Sequence, residues 1–66
     1  MRMIVTEAFY IMGFTVIATD NPDIMRAKAI IADGKEYKRV NAYDLGDRIA
    51  INGDVDLLGK KISIVI

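Results

Sequence analysis

The residues best suited to chemistry lie in the second half of the chain. Asp44, Asp47, Asp54 and Asp56 would place four carboxylates near one rim of a small fold. Paired carboxylates work as general acid and base when burial drives their pKa values apart. No apolar stretch around these aspartates offers such a pocket, so carboxylate catalysis is the most distant reading. Asn52, Asp54 and Asp56 resemble the start of a calcium loop, but that loop needs a late Glu, and none follows Asp54. A solvated turn is expected there. Gly34-Lys35 lacks the glycine-rich lead and the following Ser or Thr of a phosphate loop. The chain has no His and no Cys, which removes the usual near-neutral base and the commonest transition-metal ligands. A non-catalytic protein without cofactor or metal is expected.

Two other sets of residues point to binding. Lys35, Tyr37, Arg39, Lys60 and Lys61 combine cations with an aromatic ring, and Lys38 and Tyr43 lie close by in sequence. On a small barrel such a set stacks bases and contacts phosphates, the pattern of a single-stranded nucleic-acid or RNA face. The acidic residues at 44, 47, 54 and 56 weaken that field, and the bland alternative is a solvated surface of mixed charge. Phe9, Tyr10 and Phe14 cluster around Gly13. In a domain this small they serve as core residues or as anchors for a partner. Met1, Met3, Met12 and Met25 are adaptable gap-fillers that need no functional explanation.

These residues must be positioned by strands. Residues 2–11 are rich in Ile, Val, Thr, Phe and Tyr, Gly13 breaks the run, and 14–19 (FTVIAT) form a second strand. Asp33-Gly34 predicts a tight hairpin turn. After it, Glu36, Lys38 and Val40 alternate with Tyr37 and Arg39. Two similar stretches follow, LGDRIAI at 45–51 and LGKKISI at 58–64. Each carries a turn glycine, two polar residues and alternating isoleucines, which makes them recurrent turn chemistry rather than a duplication. Ile49, Ile51, Ile62 and Ile64 are expected in the core, joined by Val55, Leu57 and Leu58. Residues 22–32 carry two patterns. Asn21, Pro22 and Asp23 are signals for starting a helix. Yet Arg26 and Lys28 alternate with Met25, Ala27 and Ala29 as on an edge strand.

The 66 residues are expected to form a single domain over 1–66. A chain this short buries only ~60% of its extended surface. With 53% apolar residues it can fill a core, and it also suits a chain that covers surface against a protein partner or a second copy. Nine basic and nine acidic residues cancel and are interspersed, so no block steers the chain to nucleic acid or a membrane. The apolar N-terminus is broken by Glu7 and falls short of the ~20 residues of a span. No membrane association and a cytoplasmic setting are expected.

The order of these features resembles the second domain of translational GTPases of the elongation factor Tu type. EAFYIMGFTVIAT is similar to that domain's opening strand, turn and Val-rich strand, and DLGDRIAINGDVDLLGKKISI to its closing pattern. Phe9, Gly13, Val16, Gly46, Asp47 and Gly59 carry the likeness, with Phe14 and Thr15 departing from the family turn. The resemblance implies a fold, an all-β six-stranded antiparallel β-barrel, and favours a strand over residues 24–32. The alternative keeps one short helix at about residues 22–32. It implies no GTP hydrolysis. The functional expectation is a protein-interaction or accessory module, with a single-stranded nucleic-acid or RNA binder as the alternative.

Overall fold

A computed structural model describes residues 2–41 and 45–66. Six strands close into an antiparallel barrel in the order β1-β2-β5-β4-β3-β6. They are β1 Arg2–Ile11, β2 Phe14–Thr19, β3 Ala29–Ala32, β4 Lys35–Val40, β5 Ile49–Asn52 and β6 Lys61–Val65. Closure gives every strand two neighbours over at least part of its length, which limits the open edge of an aliphatic sheet.

The barrel interior is built by alternation. Met3, Val5, Ile17, Ile30, Ile49, Ile51 and Ile62 point inward and are buried. Ile64 packs against them from a partly buried position, so the four expected isoleucines do meet. Of the loop residues expected to join them, Leu57 is buried and Val55 leans on the core, but Leu58 is exposed. Only one of two adjacent leucines can face inward where the loop passes under the barrel. Met3 and Met25 fill gaps as expected, whereas Met12 stands in solvent.

The turns follow their residues. Asp33 and Gly34 take φ of 52° and 76°, the paired left-handed conformation of a two-residue hairpin. Met12 and Gly13 do the same, with φ of 53° and 88°, although Met is an unusual choice for the first position.

Residues 22–32 divide between the two expected patterns, and the strand expected over 24–32 is corrected in its first half. Pro22–Arg26 forms a single-turn 3₁₀ helix. Asn21 caps it by accepting a hydrogen bond from the Asp23 N–H at 2.9 Å, and Ile24 anchors it in the core. The helix stops at Ala27, whose backbone is extended. From there neighbouring strands take over the hydrogen bonds. Lys28 donates to the Val65 carbonyl at 2.6 Å and accepts from the Arg39 N–H at 3.0 Å. A single helical turn gains little after the cost of nucleation, while two strands stand ready on either side of Ala29–Ala32.

The crossing from β5 to β6 depends on one buried hydroxyl. Thr15 is 2% exposed. Its Oγ1 donates to the Gly53 carbonyl at 2.5 Å and accepts from the Val55 N–H at 3.0 Å. The loop that carries Leu57 into the barrel end is thereby tied to β2. Thr15→Val keeps the shape and leaves both backbone groups without this partner. We expect it to lower unfolding free energy by about 1–3 kcal/mol, read from urea denaturation. An unchanged midpoint and slope would remove Thr15 from this role.

Candidate functional site

The five residues of the expected nucleic-acid face divide among three places. Lys35 and Tyr37 come together on β4, with the Lys35 Nζ 5.4 Å from the Tyr37 ring centroid. Lys60 joins them at the β3–β4 turn, where its Nζ donates to Asp33 Oδ2 at 2.6 Å. That hydrogen bond, reinforced by the Asp33 charge, raises the Lys60 pKa and holds its ammonium beside a counter-charge. Arg39 turns away. Its Nη1 donates to the Met25 carbonyl at 2.7 Å and the Ala27 carbonyl at 3.4 Å, closing the C-terminal end of the 3₁₀ helix. Lys61 lies opposite Ile4 across the β1–β6 ladder and shares a hollow with Arg2 and Asp20. Tyr43 lies outside the described residues.

The carboxylates are likewise dispersed. Asp47 sits 3.8 Å from the Arg48 guanidinium, Asp54 and Asp56 border a hollow beside β1, and Asp44 lies outside the described residues. Among the described residues no three acidic side chains converge on a common point.

The third expected set occupies the most distinctive surface. Phe9, Tyr10 and Phe14 belong to the β1–β2 hairpin, with Phe9 opposite Val16 and Ile11 opposite Phe14. They are not barrel core. Phe9 is 44% exposed, Tyr10 54%, Ile11 49% and Met12 87%, and the nearby Leu58 60%. These are five of the eight large apolar residues exposed among the described residues. Val16 and Ala50 alternate with inward-facing isoleucines and so face outward, yet they are almost wholly covered. They floor an outer groove of about 480 Å³ whose walls include Ile11, Met12, Phe14 and Leu45. On the hairpin's other side, Ala8 and Tyr10 border a hollow of about 270 Å³ with Thr15, Val55, Leu57 and Leu58.

Ile11, Met12 and Leu58 were not foreseen as part of this surface. Met12 carried a usable signal. An apolar residue stands before Gly13, where a hairpin turn of this type favours Asn or Asp. Leu58 carried none, because adjacent leucines do not reveal which one turns inward.

One ion pair crosses the outside of β2. Arg48 Nε donates to Glu7 Oε1. The hydrogen bond lowers the Glu7 pKa, with the Arg48 charge acting in the same direction, and raises that of Arg48. The pair ties β1 to the residue that precedes β5 across the outside of β2.

No family model, curated protein or solved structure matches the chain. Among the described residues no helix is long and apolar enough to cross a membrane.

The lowered Glu7 pKa has a definite sign in stability. Its contribution is present above the ordinary carboxylate pKa and is lost as pH falls through the lowered value in the folded protein. Glu7→Gln is therefore expected to be less stable than the native chain at neutral pH, with the gap closing under acid. Denaturant midpoints measured down the acid limb test this. A gap that stays constant with pH would assign the effect to something other than carboxylate ionisation. Added salt should narrow the gap at neutral pH, because the pair is accessible to solvent.

Proposed function

We propose that this barrel is a non-catalytic protein-interaction module that engages its partner through the β1–β2 hairpin. The observation that carries this reading is the exposure of Phe9, Ile11 and Met12 along the hairpin's outer face and turn, where Ile11, Met12 and Phe14 wall an apolar groove. Isolated surface apolar residues are ordinary, whereas a contiguous apolar patch marks an interaction surface. Met12 strengthens the argument. It places a long apolar side chain in solvent and a left-handed backbone (φ 53°) on a residue that prefers the right-handed one. Both are local costs, and contact with a partner offsets the first. The surface suits a protein that is itself apolar at the centre of contact and polar around it, because Glu7, Arg48, Asp54 and Asp56 stand at the margins.

The nucleic-acid reading is supported by the Lys35–Tyr37 pair. It is the weaker one, since Lys60 is held by Asp33 and Arg39 by the 3₁₀ helix. The likeness to the second domain of elongation factor Tu-type GTPases enters as a likeness of fold. It is supported by the closed antiparallel barrel and by the left-handed turn glycines Gly13, Gly46 and Gly59. We also place the protein in the cytoplasm, a setting compatible with a chain that has no Cys.

Site-specific photocrosslinking in extracts of the source cells separates the two readings. A benzophenone side chain is installed at position 10 in one protein and at position 37 in another. The expected result is a discrete protein adduct from position 10 and none from position 37. Adducts arising only from position 37, or adducts to RNA, would overturn the reading. Met12→Asn supplies a second check. It should stabilise the isolated fold by up to about 1 kcal/mol, because Asn tolerates the left-handed turn, and weaken the position-10 adduct. A stabilised variant that retains the full adduct would exclude the hairpin tip from the contact.

A further inference from the structure

The hairpin also has a free backbone edge. Ile11 and Phe14 flank the two-residue turn, so they form a hydrogen-bonded pair. Alternation makes Phe9 with Val16 and Glu7 with Ala18 hydrogen-bonded pairs as well. Ala8 and Tyr10 therefore aim their N–H and C=O groups away from β2. On that side β6 has already ended its pairing, which runs only over Arg2–Ile4. Among the described residues the last backbone bonds there belong to Val5, which donates to Lys60 at 3.0 Å and accepts from Gly59 at 2.9 Å. Beyond Val5 the edge opens onto the hollow bordered by Ala8, Tyr10 and Leu58 and by the carboxylates of Asp54 and Asp56.

We propose that this edge pairs with the same edge of a second copy of the chain, antiparallel about a two-fold axis at Phe9. The inference rests on the interaction surface proposed above and names its occupant. In this register Ala8 faces the second copy's Tyr10 and Tyr10 faces its Ala8. Each pair exchanges two backbone hydrogen bonds and sets a small side chain against a large one. Phe9 meets its own copy in a non-hydrogen-bonded pair, where side chains approach most closely. Glu7 falls opposite Ile11, and its carboxylate is already held by Arg48 of its own chain. Within the paired segment no like charges oppose one another, and Asp54 and Asp56, which border the adjoining hollow, lie outside that segment. The formal net charge is zero, so two copies approach without long-range repulsion. The outward side chains of Phe9 and Ile11 from both copies then form one apolar band, and the sheet runs unbroken from barrel to barrel.

A different protein adding a strand to this edge would use the same backbone groups without the two-fold register, which the test distinguishes. Sedimentation equilibrium of the native chain, up to ~1 mM for weak association, is expected to give a monomer–dimer equilibrium. Phe9→Lys and Phe9→Glu place like charges together at the axis, so each alone should be monomeric. Mixed in equal amounts they should form a heterodimer. In the native chain, amide exchange at Ala8 and Tyr10 should slow with rising concentration, while exchange at Phe9, already paired within the hairpin, changes less. Any misfolding of the charged variants leaves the amide exchange of the native chain as an independent readout. A native chain that stays monomeric overturns the proposal, as does a dimer indifferent to both Phe9 variants with no added protection at Ala8 and Tyr10. If that monomer still gives the position-10 adduct with another protein, self-pairing falls and the interaction surface stands. A monomer without the adduct removes both.

Discussion

The structure turns on the length and division of β1. At ten residues it is the longest strand, and the other strands have four to six. It serves two neighbours in succession. Arg2–Ile4 close the barrel against β6, and Glu7–Ile11 pair with β2, with a register shift between Val5 and Glu7. A bulge of this kind adds one residue and changes which way the backbone groups point. Val5 aims its backbone toward β6, and after the shift Glu7 aims toward β2. The seam with β6 is made by the first half of the strand alone. The second half pairs on one side with β2, whose Phe14–Ile17 pair in turn with β5, and has no strand on its other side; the apolar walls and free edge follow from that division.

The end of β1 that β6 does not reach creates a problem beneath it. The chain must pass from β5 to β6 across the open barrel end, and its backbone groups need partners where they leave water. Thr15 answers this with one oxygen that donates to Gly53 and accepts from Val55. Gly53 also donates to the Gly13 carbonyl at 2.9 Å. Farther along, Gly59 and Lys60 bond to Val5. The crossing loop is thus fixed to the hairpin at its start and to the bulge at its end, while Leu57 fills the interior between. The hairpin and the core are mechanically joined, because the residues that seal the barrel end also anchor the hairpin.

Much of this was legible in the residues. The boundaries of β2, the Asp33-Gly34 turn and the inward isoleucines follow from alternation and turn chemistry, which are local properties. The split of residues 22–32 was not legible, because its two halves obey different rules. The cap at Asn21 and Pro22 is local, whereas the extended chain after Ala27 is set by Val65 and Arg39, far away in sequence. The candidate sites were harder for the same reason. Composition collected Lys35, Arg39 and Lys60 into one cationic set, but long side chains choose their partners in three dimensions. Arg39 found the helix carbonyls and Lys60 found Asp33. The apolar triad Phe9, Tyr10 and Phe14 was visible as a cluster, but its placement outside the barrel depends on the bulge, which no single residue announces.

The exposure of that cluster is meaningful because of where the apolar residues lie. Burying a side chain such as Phe or Ile contributes about 1.5–3 kcal/mol, against a total stability of about 5–15 kcal/mol for folded domains. Phe9, Tyr10 and Ile11 keep about half their surface in water and Met12 most of it, which forgoes about 1 kcal/mol or more for each. A chain that is 53% apolar cannot place every such residue inside six short strands, so some exposure follows from composition. Chance placement would scatter it, as with Ile4, Ile31 and Ile66, which lie on separate segments. Phe9 to Met12 are instead consecutive, at the end of β1 that β6 does not reach, beside the backbone groups that remain available. A strand whose side chains and edge are both unspent in the same stretch is organised for pairing, and the turn that ends it carries a methionine where an asparagine would fold more easily.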